Sequence, residues 1–243
     1  MKQGWNPLNR LWNQQRRENV PASLSAAMPG ADLQHQAFLR SMTKDVQQTK
    51  DGSLSLDDLE AVVVDLETTG FRVSQGDEII AIGAIAVRGT TVQEEETFFT
   101  LVHTNRSIPE HVQNLTGLSP SQLAGAPTLL SALSAFFQFV GDRPLVAHHS
   151  LHERQFLHAA LWKTSRSRFV HRLIDTIVLI RICEEAIGDT TLDALCARNQ
   201  IPVRNRHHAY WDAHACAHLW TAYMRRVIDL GYRDLMELYR ELR

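Results

Sequence analysis

From residue 61 onward the apolar positions fall into short β-branched runs and then into helical spacing. Strands are predicted over 61–66, 78–88 and 91–102, with a tight hairpin at Gly89-Thr90 between the last two. Pro109, Pro120 and Pro127 each open a short helical segment, the last running through LLSALSAFFQFV to Val140. Residues 144–147 read as a short buried strand and 151–162 as a helix; after another brief strand, a helix is expected to begin at Ile174. Helical patterns at 192–199, 210–230 and 234–242 follow. A three-stranded antiparallel meander followed by strands alternating with helices predicts an α/β fold, a mixed sheet flanked by helices.

Residues before 60 break this pattern. They are polar, rich in Gln and Asn, and interrupted by Pro7, Pro21, Pro29 and Gly30, with a turn-like DGS at 51–53 and one amphipathic stretch at 33–46. The expected organisation is an N-terminal helical extension or linker over 1–59 and a single domain over 60–243. Trp5, Leu8, Leu11 and Trp12 fall at helical spacing with Arg10, Arg16 and Arg17 interleaved. That pattern suits docking on the domain, a protein partner or nucleic acid.

Composition narrows the class. With 243 residues and 44% hydrophobic content, the chain can bury one sizeable core and carry an appendage. No apolar run approaches the roughly 18 residues that span a bilayer, and the first residues lack the apolar core of a signal peptide, so a cytoplasmic protein without a membrane segment is expected. Cys183, Cys196 and Cys216 are odd in number and lack CxxC spacing, which points to neither a disulfide framework nor a zinc site. The net charge of −2 is uneven: residues 1–50 hold seven Lys/Arg against three Asp/Glu, so about −6 falls on the remainder.

That acidic remainder contains a chemical problem, AVVVDLETTG at 61–70. A buried strand ends in Asp65 and Glu67, which alternation puts on one face roughly 6.5 Å apart, with Leu66 opposite. Either the acids face water in a turn made by Thr68, Thr69 and Gly70, or cations compensate them. Three later stretches bear on the choice: LVAHHSLHERQFL at 145–157 with Glu153, LIDT with Asp175, and RHHAYWDAHACAHLW at 206–220, where His207 precedes Asp212 at a helix entrance. An acid and a His facing a strand-end acid pair suit a divalent metal site with a nearby base.

These stretches resemble the DnaQ-like 3′-to-5′ exonucleases of the DEDDh type, the group containing the proofreading epsilon subunit of bacterial DNA polymerase III. DLETTG matches the first motif and HHAYWDA the third; IPEHVQNLTGLSPSQLAGAP, DT at 175–176 and LDALCARNQI follow in order, over roughly residues 60–225. The resemblance implies an RNase H-like fold and two divalent cations, Mg²⁺ or Mn²⁺, held by Asp65, Glu67, Glu153 and Asp212. It also implies His207 as general base and nucleoside 5′-monophosphates as products. Single-stranded or frayed DNA 3′ ends are the expected substrate, in proofreading, repair or end cleanup. RNA 3′ trimming, or nucleic-acid binding with weakened catalysis, are the alternatives. The second motif departs from the family: Glu153 stands where Asp is usual and His149 where Asn is usual. The extra methylene of Glu153 leaves a displaced second ion, a bridging water or reduced activity as outcomes.

Thr68, Thr69, Phe71 and His149 are the expected substrate contacts, with Phe71 stacking on a base. Asp175 suits a cap for the next helix. The run KTSRSRFVHR at 163–172 reads as a solvated loop. His214 and His218 lie i, i+4 on one helix, a metal-binding spacing with no third ligand evident in the sequence.

Overall fold

A computed structural model describes residues 31–48, 55–186 and 188–241. The strands are β1 (Glu60–Thr68), β2 (Ile79–Arg88), β3 (Thr91–Leu101), β4 (Leu145–Ala147) and β5 (Leu173–Asp175). The helices are α1 (Ala31–Gln48), α2 (Glu110–Thr116), α3 (Pro120–Ala124), α4 (Leu129–Val140), α5 (Leu151–Ser165), α6 (Ile177–Cys183), α7 (Leu192–Arg198), α8 (Ala209–Asp229) and α9 (Leu235–Glu241). The strands form one sheet in the order β3-β2-β1-β4-β5. β1, β2 and β3 are the antiparallel meander, while β4 and β5 run parallel to β1. The mixed α/β sheet expected from the hydrophobic pattern is thus present.

Alternation along β1 explains the layering. Val62, Val64 and Leu66 face a core built with α1, α4 and α5 through Leu39, Phe136, Phe137 and Leu157. Ala61 and Val63 face the opposite core, where α6, α7, α8 and α9 contribute Leu179, Leu195, Trp220 and Leu235. A strand covered on both faces reads as a continuous apolar run, which is why AVVV precedes the acids. Each fully buried valine stabilises the fold by about 1.5–3 kcal/mol. A smaller cluster under α2 and α3 joins Ile80 and Ala81 to Val112, Leu123 and Ala209.

The pattern missed three local features. Ile174 lies inside β5, and the helix begins at Ile177, because two more residues are needed to complete the parallel pairing with β4. The run 163–172 is only partly a solvated loop: α5 continues to Ser165, and Ser165, Ser167 and His171 are buried, while Lys163, Arg166 and Arg168 are exposed. His171 holds the Gly141 carbonyl at 2.9 Å. The amphipathic stretch at 33–46 is helical within α1 as expected, but its Leu39 and Met42 are buried in the sheet core, so it packs with the domain instead of standing apart as an extension. The Trp5–Trp12 pattern and the DGS turn lie outside the described residues.

Gly83 decides where α8 can lie. It pairs with Asp65 across β1 and β2, and a Cβ there would come within 2.2 Å of the Ala209 carbonyl carbon and 2.3 Å of the Tyr210 nitrogen. The start of α8 therefore rests directly on the sheet beside Asp65, an approach that only a residue without a side chain permits. Gly83→Ala is expected to cost about 1–3 kcal/mol by forcing α8 outward. Gly125→Ala, where a Cβ meets nothing within 4 Å, serves as control and should stay within about 0.5 kcal/mol. Equal melting temperatures for the two variants would refute this role.

Candidate functional site

The carboxyl ends of the parallel strands and the amino ends of α5 and α8 meet in a cleft of ≈ 380 Å³. Asp65 and Glu67 continue the Ala61–Val63 face of β1, so both point toward α8, and the register of β1 against β2 shifts just after Glu67. The extra residue, Ile80, lies on β2, so alternation along β1 holds through Glu67. Asp212, in the first turn of α8, completes a group in which one oxygen of each acid lies within 4.8 Å of the others. Glu153, in the first turn of α5, lines the same cleft and is 4% exposed, yet stands outside that tight group.

The charges are strongly unfavourable where they are. Burial first, then the Asp212 carboxylate, pushes Glu67 up to about 8 from 4.5. Burial first, then Asp175 and Glu67, pushes Glu153 up to about 8 from 4.5. Burial first, then Glu67, Glu153 and Asp212, raises Asp65 well above the usual carboxylate range. Glu153 Oε2 and Asp212 Oδ1 are buried without a hydrogen-bond partner, although buried acceptors are ordinarily satisfied. Clustered oxygen donors with free lone pairs fit Mg²⁺ or Mn²⁺, whose bonds would replace both the lost hydration and the missing hydrogen bonds.

The loop before α8 supplies a feature that the sequence reading missed. Arg206 forms an ion pair with Asp212 Oδ2, and its Nε donates to Asp193 Oδ1 at 2.8 Å. Its positive charge eases both Asp65 and Glu67, so one built-in cation partly offsets the acids. The hint available in the sequence was a cation adjacent to His207. The His207 backbone N–H donates to Asp212 Oδ2 at 2.9 Å, and this bond helps hold His207 at φ 60, a left-handed conformation uncommon outside glycine. Of the adjacent histidines, His207 lines the cleft, whereas His208 stacks on Phe99 at 4.7 Å.

Asp175 brackets the other wall. It accepts from the backbone N–H groups of His149 at 3.2 Å, Ser150 at 2.8 Å and Ile177 at 3.0 Å, tying the entrance of α5 to that of α6. His149, at φ 53, lines the cleft, and its ring reaches the Thr190 carbonyl at 3.1 Å. Phe71 is 78% exposed on the rim, 5.8 Å from the His152 ring. Thr68 lines the cleft, with its hydroxyl donating to the Gly70 carbonyl at 2.7 Å. Thr69 is the exception among the expected contacts. It is 1% exposed, and its hydroxyl donates to Asp77 and accepts from the Glu78 N–H, so it braces the loop from behind and does not line the cleft.

Residues 62–220 match the family model described as exonuclease, of the RNase T type. A proposed bifunctional exonuclease/endonuclease of Mycobacterium tuberculosis is 34% identical over 76% of this chain. The PolC-type DNA polymerase III of Halalkalibacterium halodurans is 31% identical over 74% of it. The chain spans only 30% and 12% of these relatives' own lengths. Among solved structures, the nuclease domain of 3′hExo, a DEDDh family member bound to rAMP, has a similar fold. It superposes with a TM-score of 0.61 at 19% identity, covering 72% of this chain and 94% of that one.

The raised carboxylates give a signed pH effect. The folded protein keeps protons on Glu67 and Glu153 that the unfolded chain releases above 4.5, so metal-free stability falls as pH rises from 4.5 toward about 8. A divalent ion held by the deprotonated acids would oppose this loss. In calorimetry with chelator, the melting temperature should be lower at about pH 8 than at about pH 5.5, and Mn²⁺ should raise it more at the higher pH. Asp65→Asn should raise the metal-free melting temperature while diminishing the Mn²⁺ response.

Proposed function

Because the chain belongs to the DnaQ-like exonuclease family, we propose that it is a metal-dependent 3′-to-5′ exonuclease acting on single-stranded or frayed DNA 3′ ends. The products are nucleoside 5′-monophosphates, and the roles suited to such an activity are proofreading in trans, repair or end cleanup. The observation that carries this reading is the convergence of buried, underbonded carboxylates in an open cleft within the matched region.

Asp65, Glu67 and Asp212 would hold one divalent ion, with Asp65 shared and Glu153 helping to hold a second. Mg²⁺ or Mn²⁺ bound there supplies Lewis acidity to the phosphate and lowers the pKa of water. His207 is the general base: it lines the cleft, and its imidazole would accept the proton of the attacking water. Phe71 presents a free aromatic face at the rim for the terminal base, while His149 and Thr68 shape the adjacent wall. Residues 60–243 carry the catalytic site, and within the preceding segment α1 docks on this domain through Leu39 and Met42.

RNA 3′ ends are the second reading, favoured by the fold shared with a nuclease domain bound to rAMP. Among the described residues no helix is long and apolar enough to cross a membrane. A cytoplasmic location fits a nucleic-acid substrate.

End-labelled DNA and RNA oligomers, incubated with Mg²⁺, Mn²⁺ or chelator, test the activity and its sugar preference. Absence of metal-dependent release from every 3′ end overturns the proposal. Asp212→Asn and His207→Ala should each lower kcat by about 10²-fold or more; full activity in Asp212→Asn would refute the site. Glu153→Asp should keep or raise activity and Glu153→Ala depress it, whereas an unchanged Ala variant would mean that Glu153 holds no ion. Phe71→Ala should raise KM with kcat largely kept, in line with about 1–3 kcal/mol of stacking.

A further inference from the structure

The outer face of α8 carries a second group of ligating side chains. His214 Nε2 lies 3.1 Å from Glu94 Oε2, and His218 Nε2 lies 3.2 Å from Glu94 Oε1. One ligand atom from each of the three residues can be chosen so that all lie within 4.8 Å of one another, and the two imidazole centroids are 4.5 Å apart. An ion with bonds of about 2.0–2.1 Å holds tetrahedral ligand atoms about 3.3–3.4 Å apart; the two His–Glu distances are already close to this, and the remaining separations, within 4.8 Å, would close on binding.

The strand is shaped to deliver Glu94. β2 residues Ile85 and Ala86 are consecutive, but their partners on β3 are Thr97 and Gln93, so Glu94, Glu95 and Glu96 bulge from the ladder. Glu96 turns to Arg143 at 3.2 Å, while Glu94 turns to α8. Bulges of this kind re-aim side chains. The i, i+4 histidines lacked a third ligand in the sequence, and the bulge supplies it from 120 residues away.

We infer that Glu94, His214 and His218 form a binding site for a borderline transition-metal ion of the Zn²⁺ class, separate from the carboxylate cleft. Two imidazoles and one carboxylate select such ions over Mg²⁺, and a partly exposed site leaves the fourth position to water. Arg204, whose charge reaches His214 and whose guanidinium lies 5.7 Å from the Trp211 ring centroid, is the neighbouring cation that opposes binding. Asp212 and His214 are two residues apart, about 200° around the helix, so α8 presents the two sites on opposite faces. An ion here would clamp the edge strand β3 to α8.

The test is a Co²⁺ titration of the full chain in saturating Mg²⁺, followed by visible absorption and calorimetry, with Zn²⁺ as competitor. The wild type should take one Co²⁺ equivalent with tetrahedral or five-coordinate absorption, displaced by Zn²⁺, together with a rise in melting temperature. His214→Ala and His218→Ala should abolish it, and Glu94→Gln should weaken it by about tenfold or more. Asp65→Asn should retain it. Mg²⁺-dependent nuclease activity and circular dichroism of His218→Ala should match the wild type, showing that the loss is not unfolding. Absence of a bound equivalent in the wild type, its retention in His218→Ala, or its loss in Asp65→Asn overturns the inference.

Discussion

Mutual repulsion among buried carboxylates at one strand end is the constraint on which the rest of the site depends. Unit charges about 5 Å apart at an effective dielectric of about 20 repel by about 3 kcal/mol per pair, a substantial part of a domain's net stability. Without metal, two means reduce that cost: protons retained on Glu67 and Glu153, and the Arg206 guanidinium on Asp212. Both leave carboxylate oxygens without partners, Glu153 Oε2 and Asp212 Oδ1. The site is therefore destabilised in a way that a bound cation specifically relieves, so metal affinity and local stability are two expressions of one electrostatic term.

The fold holds that arrangement in place from several directions. Gly83 allows the start of α8 to rest on the sheet beside Asp65, and the register shift after Glu67 ends the strand at the site. Asp175 ties the entrances of α5 and α6 together through three backbone N–H groups. His149 and His207 both occupy left-handed backbone positions at the cleft, each with its N–H on a carboxylate. Conformations of that kind cost energy and persist where surrounding contacts over-determine them. Here those contacts are the Asp175 and Asp212 carboxylates, which joins backbone geometry to the acidic centre itself.

What the sequence disclosed follows from the range of each physical signal. Strands and helices were legible because period-two and period-3.6 burial are local, and Asp65, Glu67 and Asp212 could be placed because alternation and helix entry fix their direction. The fourth acid, Glu153, was legible as a cleft residue, whereas its separation from the tight triple depends on how α5 meets the sheet. Thr69 was misread because polarity in a turn does not say which way a side chain points; its hydroxyl is consumed by Asp77 and Glu78. Arg206, Gly83 and Glu94 act across tertiary contacts, Glu94 on a helix 120 residues later, and no periodicity carries such information.

Helix α8 shows how one element can serve opposed chemical preferences. Its cleft-facing side offers a carboxylate oxygen at the amino end, within a group of oxygen donors suited to hard ions that exchange water and contact phosphate. Two residues further on, its outer side offers imidazoles to a carboxylate on the edge strand, a donor set suited to ions that stay in place. Separation by donor type, and not by distance along the chain, is what would keep an ion of one class from occupying the other's place.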